Sequence, residues 1–297
     1  MPDNSSSSTS AGTSADPTFR LGGDLPVNRL GFGAMRLPRK DLTSPVRDPG
    51  TGRAVLRRAV ELGVNHIDTA WFYRYEDVAA NDLIREALHP YPAGLVIATK
   101  VGPMWDERGV PRGQARPGQL RALVEQNLSS LGLDRLDLVY LRVGGMSGPG
   151  GESIAERFAA LAELRDEGLI RHLGVSNVDA AQLAEAREIA PVAALQNDFH
   201  IQRRGSAGLL DSCAAAGIAF VPFFPLGGGH DPIDPARLTE VAKRHDATPA
   251  QVALAWLLAA SPALLAIPGT GSIEHLEENL AAAHLRLTDQ DLAELDT

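Results

Sequence analysis

The chain is expected to fold as a single α/β domain, a (β/α)8 (TIM) barrel with an N-terminal β-hairpin and an extra C-terminal helix. Three observations carry that expectation. Eight short β-branched or apolar runs recur along the 297 residues, and segments of helical period with their own caps separate them. The phosphate loop that an open doubly wound sheet would need is missing. A closed parallel barrel satisfies all three, because every strand is followed by a helix that covers it.

Taken in order, residues 1–16 are almost wholly Ser, Thr, Ala, Gly and Asp, too polar to offset the entropy of ordering, and read as a disordered tail. The barrel takes residues 17–297. From Thr18, apolar residues flank Gly22, Gly23 and Asp24, the pattern of a hairpin that leads into a first buried strand at 30–32. The remaining strands are HIDTA from His66, LVIATK from Leu95, LDLVYL from Leu136, HLGVSN from His172, VAALQN from Val192, IAFVPFF from Ile218 and LLAIPG from Leu264. Asp234 followed by Pro235 marks a helix start, and Thr248 with Pro249 and Gln251 adds a capping box. Thr288 to Asp291 opens the last helix in the same way. Gly63, Gly132, Gly168 and Gly217 each stand between a helical run and the next strand, where a left-handed residue ends a helix.

Composition removes several function classes. With 28 Lys+Arg against 37 Asp+Glu the net charge is −9, and no basic run exceeds two residues, so a nucleic-acid partner is not expected. The longest apolar stretches, such as 252–260, fall short of the roughly 18 residues a membrane helix needs. The single cysteine, Cys213, has no partner for a disulfide, and without an apolar signal region at the N-terminus the expectation is a cytoplasmic protein. The eight histidines never fall at i, i+4 spacing and no CxxC occurs, so no metal is expected. GVSNV around Ser176 lacks the second glycine of a nucleophile elbow. The GFG at Gly31 to Gly33 has Arg36 where a dinucleotide fingerprint wants its third glycine, and Pro38 and Pro45 follow in place of a helix.

In such a barrel the chemistry sits on the residues that close the strands. Here these are Asp68 then Tyr73, Lys100, Arg142, Ser176 with Asn177, Gln196 with Asn197, Phe223 with Phe224, and the PGTGS run from Pro268. A phenol with an ordinary pKa near 10 is a poor acid at neutral pH, but an adjacent ammonium favours its phenolate and lowers that value. An Asp paired with the Lys would keep the Lys charged and fixed. The trio would then protonate a carbonyl oxygen as hydride reaches the carbon, or run the reverse. The residue types alone are equally compatible with a salt bridge at the barrel mouth and a Tyr that only packs.

Over Thr18 to Thr297 the chain resembles the aldo-keto reductases. GVNHIDTAWFY, ATKVG, LGLDRLDLVYL, LIRHLGVSNV, LQNDFH, FVPFFPLGGG and LAIPGTGSIEHLEENL are similar to successive blocks of that family, in its order. The resemblance implies Asp68, Tyr73 and Lys100 as catalytic residues, with Ser176, Asn177 and Gln196 on the nicotinamide carboxamide and Phe223 against its ring. It places Leu226, Gly227, Gly269, Thr270, Ser272, His275, Glu278 and Asn279 along the pyrophosphate and adenosine of NADPH, bound without a Rossmann domain. Gly269, Ser272 and His275 stand where family members often offer Lys or Arg to the 2′-phosphate, which leaves NADH open as an alternative cofactor.

Two positions depart from the family pattern. Arg142 replaces the histidine after the fourth strand; a guanidinium can orient a carbonyl but cannot relay a proton. Arg142 could instead pair with Asp68 or Glu76. Arg74 replaces the glycine after the catalytic Tyr and puts a cation by the substrate pocket. Together with NRLGFGAMRL and FFPLGGG, Arg142 resembles the branch that contains bacterial pyridoxal reductases, in which Trp71, Phe72, Tyr75 and Trp105 would wall in a flat ring. The expected partner is a small carbonyl substrate, on a monomer or small homo-oligomer with no membrane contact. A tailoring reductase of natural-product ketones and a non-catalytic NADP-sensing barrel are the rival functions.

Overall fold

A computed structural model describes residues 16–41, 43–105, 111–145, 148–149, 151–229, 233 and 235–296. The expected disordered tail therefore lies outside the described residues except for Asp16, whose carboxylate accepts hydrogen bonds from the Thr18 amide and hydroxyl. The expected cap at Asp234 also lies outside them.

Strands β1 (Thr18–Leu21) and β2 (Leu25–Asn28) form the antiparallel hairpin, turned by Gly22 at φ 62° and Gly23 at φ 87°. At Gly22 a Cβ would lie 2.3 Å from the His172 ring, so a side chain there would have to displace that ring. Next come β3 (Phe32–Gly33), α1 (Pro49–Glu61), β4 (His66–Asp68), a small hairpin of β5 (Arg74–Tyr75) and β6 (Val78–Ala79), and α2 (Ala80–Leu88). β7 (Val96–Val101) is followed by a second small hairpin, β8 (Pro103–Trp105) with β9 (Pro111–Gln114), and by α3 (Leu120–Leu131). Three regular units follow: β10 (Leu136–Arg142) with α4 (Ala155–Asp166), β11 (Ile170–Ser176) with α5 (Ala180–Ile189), and β12 (Val192–Gln196) with α6 (Ala207–Ala216). β13 (Ala219–Phe220) precedes α7 (Pro235–Arg244) and α8 (Pro249–Ala260), and α9 (Ile273–Ala281) and α10 (Asp289–Asp296) complete the chain.

Seven of the eight expected strands, β3, β4, β7, β10, β11, β12 and β13, form one parallel sheet in chain order. The eighth, at 264–266, is not a ladder strand. It makes a single parallel bridge to each edge, Leu264 to Phe220 and Ala266 to Leu30. The Leu265 amide donates to the Phe220 carbonyl at 2.9 Å and the Gly31 amide to the Ala266 carbonyl at 2.8 Å, which closes the barrel. Buried Arg29 holds the approach to this segment by donating to the carbonyls of Leu258, Ser261 and Leu264.

Successive side chains on a strand face opposite ways, and the two faces have separate cores. Ile67, Ile97, Val139, Leu141, Val175 and Leu195 pack outward against Leu56, Ile84, Leu131, Phe158 and Leu183 of the helices. Val96, Ala98, Leu138, Tyr140, Ala194 and Ala219 fill the barrel itself, together with Leu21, Leu25 and Val27 of the hairpin, which plugs its lower end. Room for the Tyr140 ring is made by Gly174, where a Cβ would lie 2.6 Å from it.

The helix ends follow the expected punctuation. Gly132 and Gly217 are left-handed caps, and Thr248 forms its capping box with Gln251. At the final helix, the Thr288 hydroxyl accepts from the Asp291 amide at 3.1 Å, and buried Asp291 accepts from Arg244 and His245, each at 2.7 Å. Among the described residues no helix is long and apolar enough to cross a membrane, and no three His, Cys, Asp or Glu side chains are grouped to hold a metal.

Candidate active site

The inward parity that packs the barrel also aims the site. On β7 the inward series Val96, Ala98 ends on Lys100, on β10 the series Leu138, Tyr140 ends on Arg142, and on β12 Ala194 is followed by Gln196. Outward Ile67 on β4 and Val175 on β11 leave Asp68 and Ser176 pointing in. The last inward position of each of these strands is thus polar; Asp68, Lys100, Arg142 and Gln196 line one cavity of about 500 Å³, and Ser176 is buried beside Arg142. Beneath Asp68, His66 is fully buried with neither ring nitrogen hydrogen-bonded, and burial pulls its pKa down to about 4, so this layer is uncharged.

Lys100 and Asp68, both buried, form the centre. The Lys100 ammonium donates to Asp68 Oδ1 at 2.5 Å and to the Thr69 carbonyl at 3.0 Å, and Gln196 Nε2 donates to Asp68 Oδ2 at 2.8 Å. Burial would lower the Lys100 pKa, but Asp68 and Tyr73 outweigh it and hold the group above its ordinary value, as a cation. Tyr73 lies on the turn between β4 and β5, fixed by backbone bonds to Ala70 (3.0 Å) and Ala80 (2.9 Å), with the Lys100 ammonium 5.0 Å from its ring centroid. The expected lowering of the tyrosine does not occur. Burial pushes Tyr73 above its ordinary value, and the neighbouring cations Lys100 and Arg142 offset only part of that rise. Tyr73 is accordingly a neutral phenol that holds its proton.

Arg142 pairs with neither Asp68 nor Glu76. It donates to the Gly145 carbonyl at 3.0 Å and, more weakly, to Ser176 Oγ at 3.4 Å, and it lies over the Phe223 ring at 4.8 Å. Asn177, at φ 61°, spends its Nδ2 on the carbonyls of Val143, Gly145 and Gly148, so that this donor clamps the loop after β10. Asn197 is bonded both ways to the Val178 backbone and is structural.

Of the aromatic residues read as a wall, Phe72 and Trp105 line the cavity, stacked at 6.0 Å with 19° between their planes. Trp71 and Arg74 do not. Trp71 borders a separate hollow beside Glu125, Gln126 and Ser129 of α3, and Arg74 stacks on it at 4.2 Å. Tyr75 lies under Arg39 at 4.9 Å. In a tight turn, consecutive aromatic residues cannot all face one side.

Phe223, Leu226 and Gly269 continue the cavity wall toward α9. Gly227 begins a short 3-10 turn at φ 76°. Buried Thr270 accepts from the Ser272 amide at 3.1 Å, and Ser272 caps α9 by accepting from the His275 amide at 3.4 Å. His275 itself is exposed. Glu278 is engaged elsewhere, accepting the Thr248 hydroxyl at 2.5 Å to tie α9 to α8, while Asn279 is buried in α9. This end also holds a residue that sequence reasoning missed. A Cβ on Gly271 would lie 2.5 Å from the Arg47 guanidinium, and Arg47 Nε is shielded from solvent with no hydrogen-bond partner. An orphaned guanidinium nitrogen beside a helix N-terminus fits a bound anion. Arg36, Met35 and Met104 also line the cavity. Met35 and Arg36 directly follow the first strand, so reading on past that strand end would have found them.

A model of the aldo/keto reductase family matches residues 29–230 and 234–297. Pyridoxine 4-dehydrogenase of Escherichia coli K12 is 47% identical over 281 residues, covering 94% of this chain and 97% of that protein. Among solved structures, a thermostable aldo-keto reductase in complex with the inhibitor epalrestat aligns with a TM-score of 0.79 at 31% identity, over 94% of this chain and 98% of that one. An aldo/keto reductase of Klebsiella pneumoniae in complex with NADP and acetate aligns at 0.77 and 26%, over 95% of this chain and 94% of that one. The barrel, its inward-facing strand ends and these matches agree: the chain belongs to the aldo/keto reductase family.

Proposed function

We propose that the protein is an NADP(H)-dependent reductase of aldehydes and ketones, with Tyr73 as general acid and a flat aromatic aldehyde of the pyridoxal type as substrate. The observation that carries this reading is the neutral Tyr73 phenol beside a Lys100 ammonium that Asp68 holds at 2.5 Å, on the wall of a cavity faced by Phe72, Trp105 and Phe223.

When bound, NADPH supplies a hydride to the carbonyl carbon. Ser176 and Gln196 would hold its carboxamide, Phe223 would meet its ring, and Gly269 through Ser272 with Arg47 would hold its phosphates; the orphaned Arg47 Nε supports the fit. Tyr73 gives its proton to the carbonyl oxygen, and Lys100 stabilises the phenolate left behind. Asp68 keeps Lys100 cationic, and Gln196 fixes the second oxygen of Asp68. Arg142 orients the carbonyl with the donors that Gly145 and Ser176 leave over. The 47% identity to an E. coli pyridoxine 4-dehydrogenase supports the pyridoxal type of substrate. The test is oxidation of NADPH with pyridoxal and with 4-nitrobenzaldehyde. Faster turnover of pyridoxal is expected. Turnover of 4-nitrobenzaldehyde alone would remove the substrate, and binding of NADPH without turnover of either would remove the enzyme.

A further inference from the structure

Arg142 is a half-buried cation without an ion pair among the described residues. Asp68 is taken by Lys100, and Asp198, which is paired with Arg203 at 3.1 Å, acts on it only at a distance. Its two hydrogen bonds go to neutral acceptors, the Gly145 carbonyl and the Ser176 hydroxyl, and Phe223 supports the plane of the guanidinium. Two bonds leave most of its five N–H donors unspent. Removing a cation from water without a partner is costly, so a cavity that keeps one gains when the ligand brings the missing charge.

The position of this charge restricts which ligands can use it. In the β10 ladder Tyr140 is level with Lys100 and Arg142 is level with Ser176, so Arg142 faces the cavity one inward step nearer the mouth than Lys100. Tyr73 and Arg142 line the same cavity and act electrostatically on each other. Around them the wall is apolar and aromatic, through Phe72, Met104, Trp105 and Phe223. Resting on the reductase reading above, we infer that the site selects aromatic aldehydes with an anionic oxygen ortho to the carbonyl, the carbonyl oxygen meeting Tyr73 and the oxyanion meeting Arg142. In an ortho-hydroxy aldehyde the two oxygens lie side by side in the ring plane, as two adjacent donors require. An oxyanion para to the carbonyl points away from Arg142 and gains nothing. Pyridoxal belongs to the favoured class.

The test compares 2-hydroxy-5-nitrobenzaldehyde, a phenolate at neutral pH, with 2-methoxy-5-nitrobenzaldehyde, 4-hydroxy-3-nitrobenzaldehyde and 3-nitrobenzaldehyde, with NADPH, on the full chain and on Arg142→Gln and Arg142→Lys. For the wild type, KM for the ortho-phenolate is expected to be at least about tenfold below that of its methyl ether, the size of a charge-assisted hydrogen bond. That ratio should collapse toward one in Arg142→Gln and be partly kept in Arg142→Lys. A second readout needs no turnover. With NADP+ present, the nitrophenol absorbance of the bound 2-hydroxy-5-nitrobenzaldehyde should titrate at least about one pH unit below the free compound, and Arg142→Gln should abolish the shift. Equal KM values for phenolate and ether, a ratio unchanged in Arg142→Gln, or an unshifted titration overturns the inference. If 3-nitrobenzaldehyde is reduced without any ortho preference, only this inference fails. If no aldehyde is reduced, the reductase reading fails, and the titration still decides whether Arg142 binds the oxyanion.

Discussion

Asp68→Asn separates the structural role of the Lys100 pair from its catalytic one. The substitution keeps the shape of the side chain and removes the carboxylate bonded to the buried Lys100 ammonium at 2.5 Å, with both side chains 4% exposed. Breaking a buried pair from one side costs about 3–5 kcal/mol, because the remaining charge is left without compensation. Lys100 escapes part of that cost by shedding its proton, and Tyr73 then loses the cation that opposes its burial. Urea unfolding followed by circular dichroism is expected to show a loss of about 3–5 kcal/mol, and turnover is expected to fall with it. Adding Lys100→Met removes the stranded charge, so the double variant should regain most of the stability and none of the turnover. A single variant within about 1 kcal/mol of wild type, or a double variant as unstable as the single, would refute the reasoning.

Three further outcomes are expected. Arg47→Ala should weaken NADPH binding by about tenfold in a fluorescence titration, because the group lost is the cation proposed to hold a cofactor phosphate. Burial alone would raise Asp291, but His245, Thr288 and Arg244 hold its carboxyl well below the usual range. Its contribution is therefore complete above the unfolded value near 4 and is lost as pH falls below it, so Asp291→Asn should cost about 1–3 kcal/mol at neutral pH and flatten the acid limb of the stability curve. Because burial keeps Tyr73 protonated, the rate of reduction should stay level with rising pH up to at least about 10, as a stopped-flow pH series would show.

The barrel and the centre of the site were legible because both follow the same two-residue period. Once the strands are placed, parity alone selects Asp68, Lys100, Arg142, Ser176 and Gln196 as inward residues at the open end. Features set by tertiary packing were not legible. Arg47 reaches Gly271 from the far end of the sequence, across the seam where the barrel closes. Trp71 and Phe72 are neighbours in sequence, yet the turn sends one to α3 and the other to the cavity. The proton affinity of Tyr73 is a balance between burial and two cations, and residue types disclose only the cations. The 264–266 segment read as a strand by composition, but with one bridge to each edge it serves as the closing seam.

Tyr73→Phe tests the central claim most directly, because it removes one hydroxyl and leaves the ring that packs between Phe72 and Lys100. Steady-state turnover would be measured with the aldehyde the wild type reduces fastest, alongside the dissociation constant for NADPH. A fall in kcat of at least about 10², with NADPH affinity unchanged within about threefold, is the expected result. Wild-type turnover in that variant would contradict the assignment of Tyr73 as the proton donor.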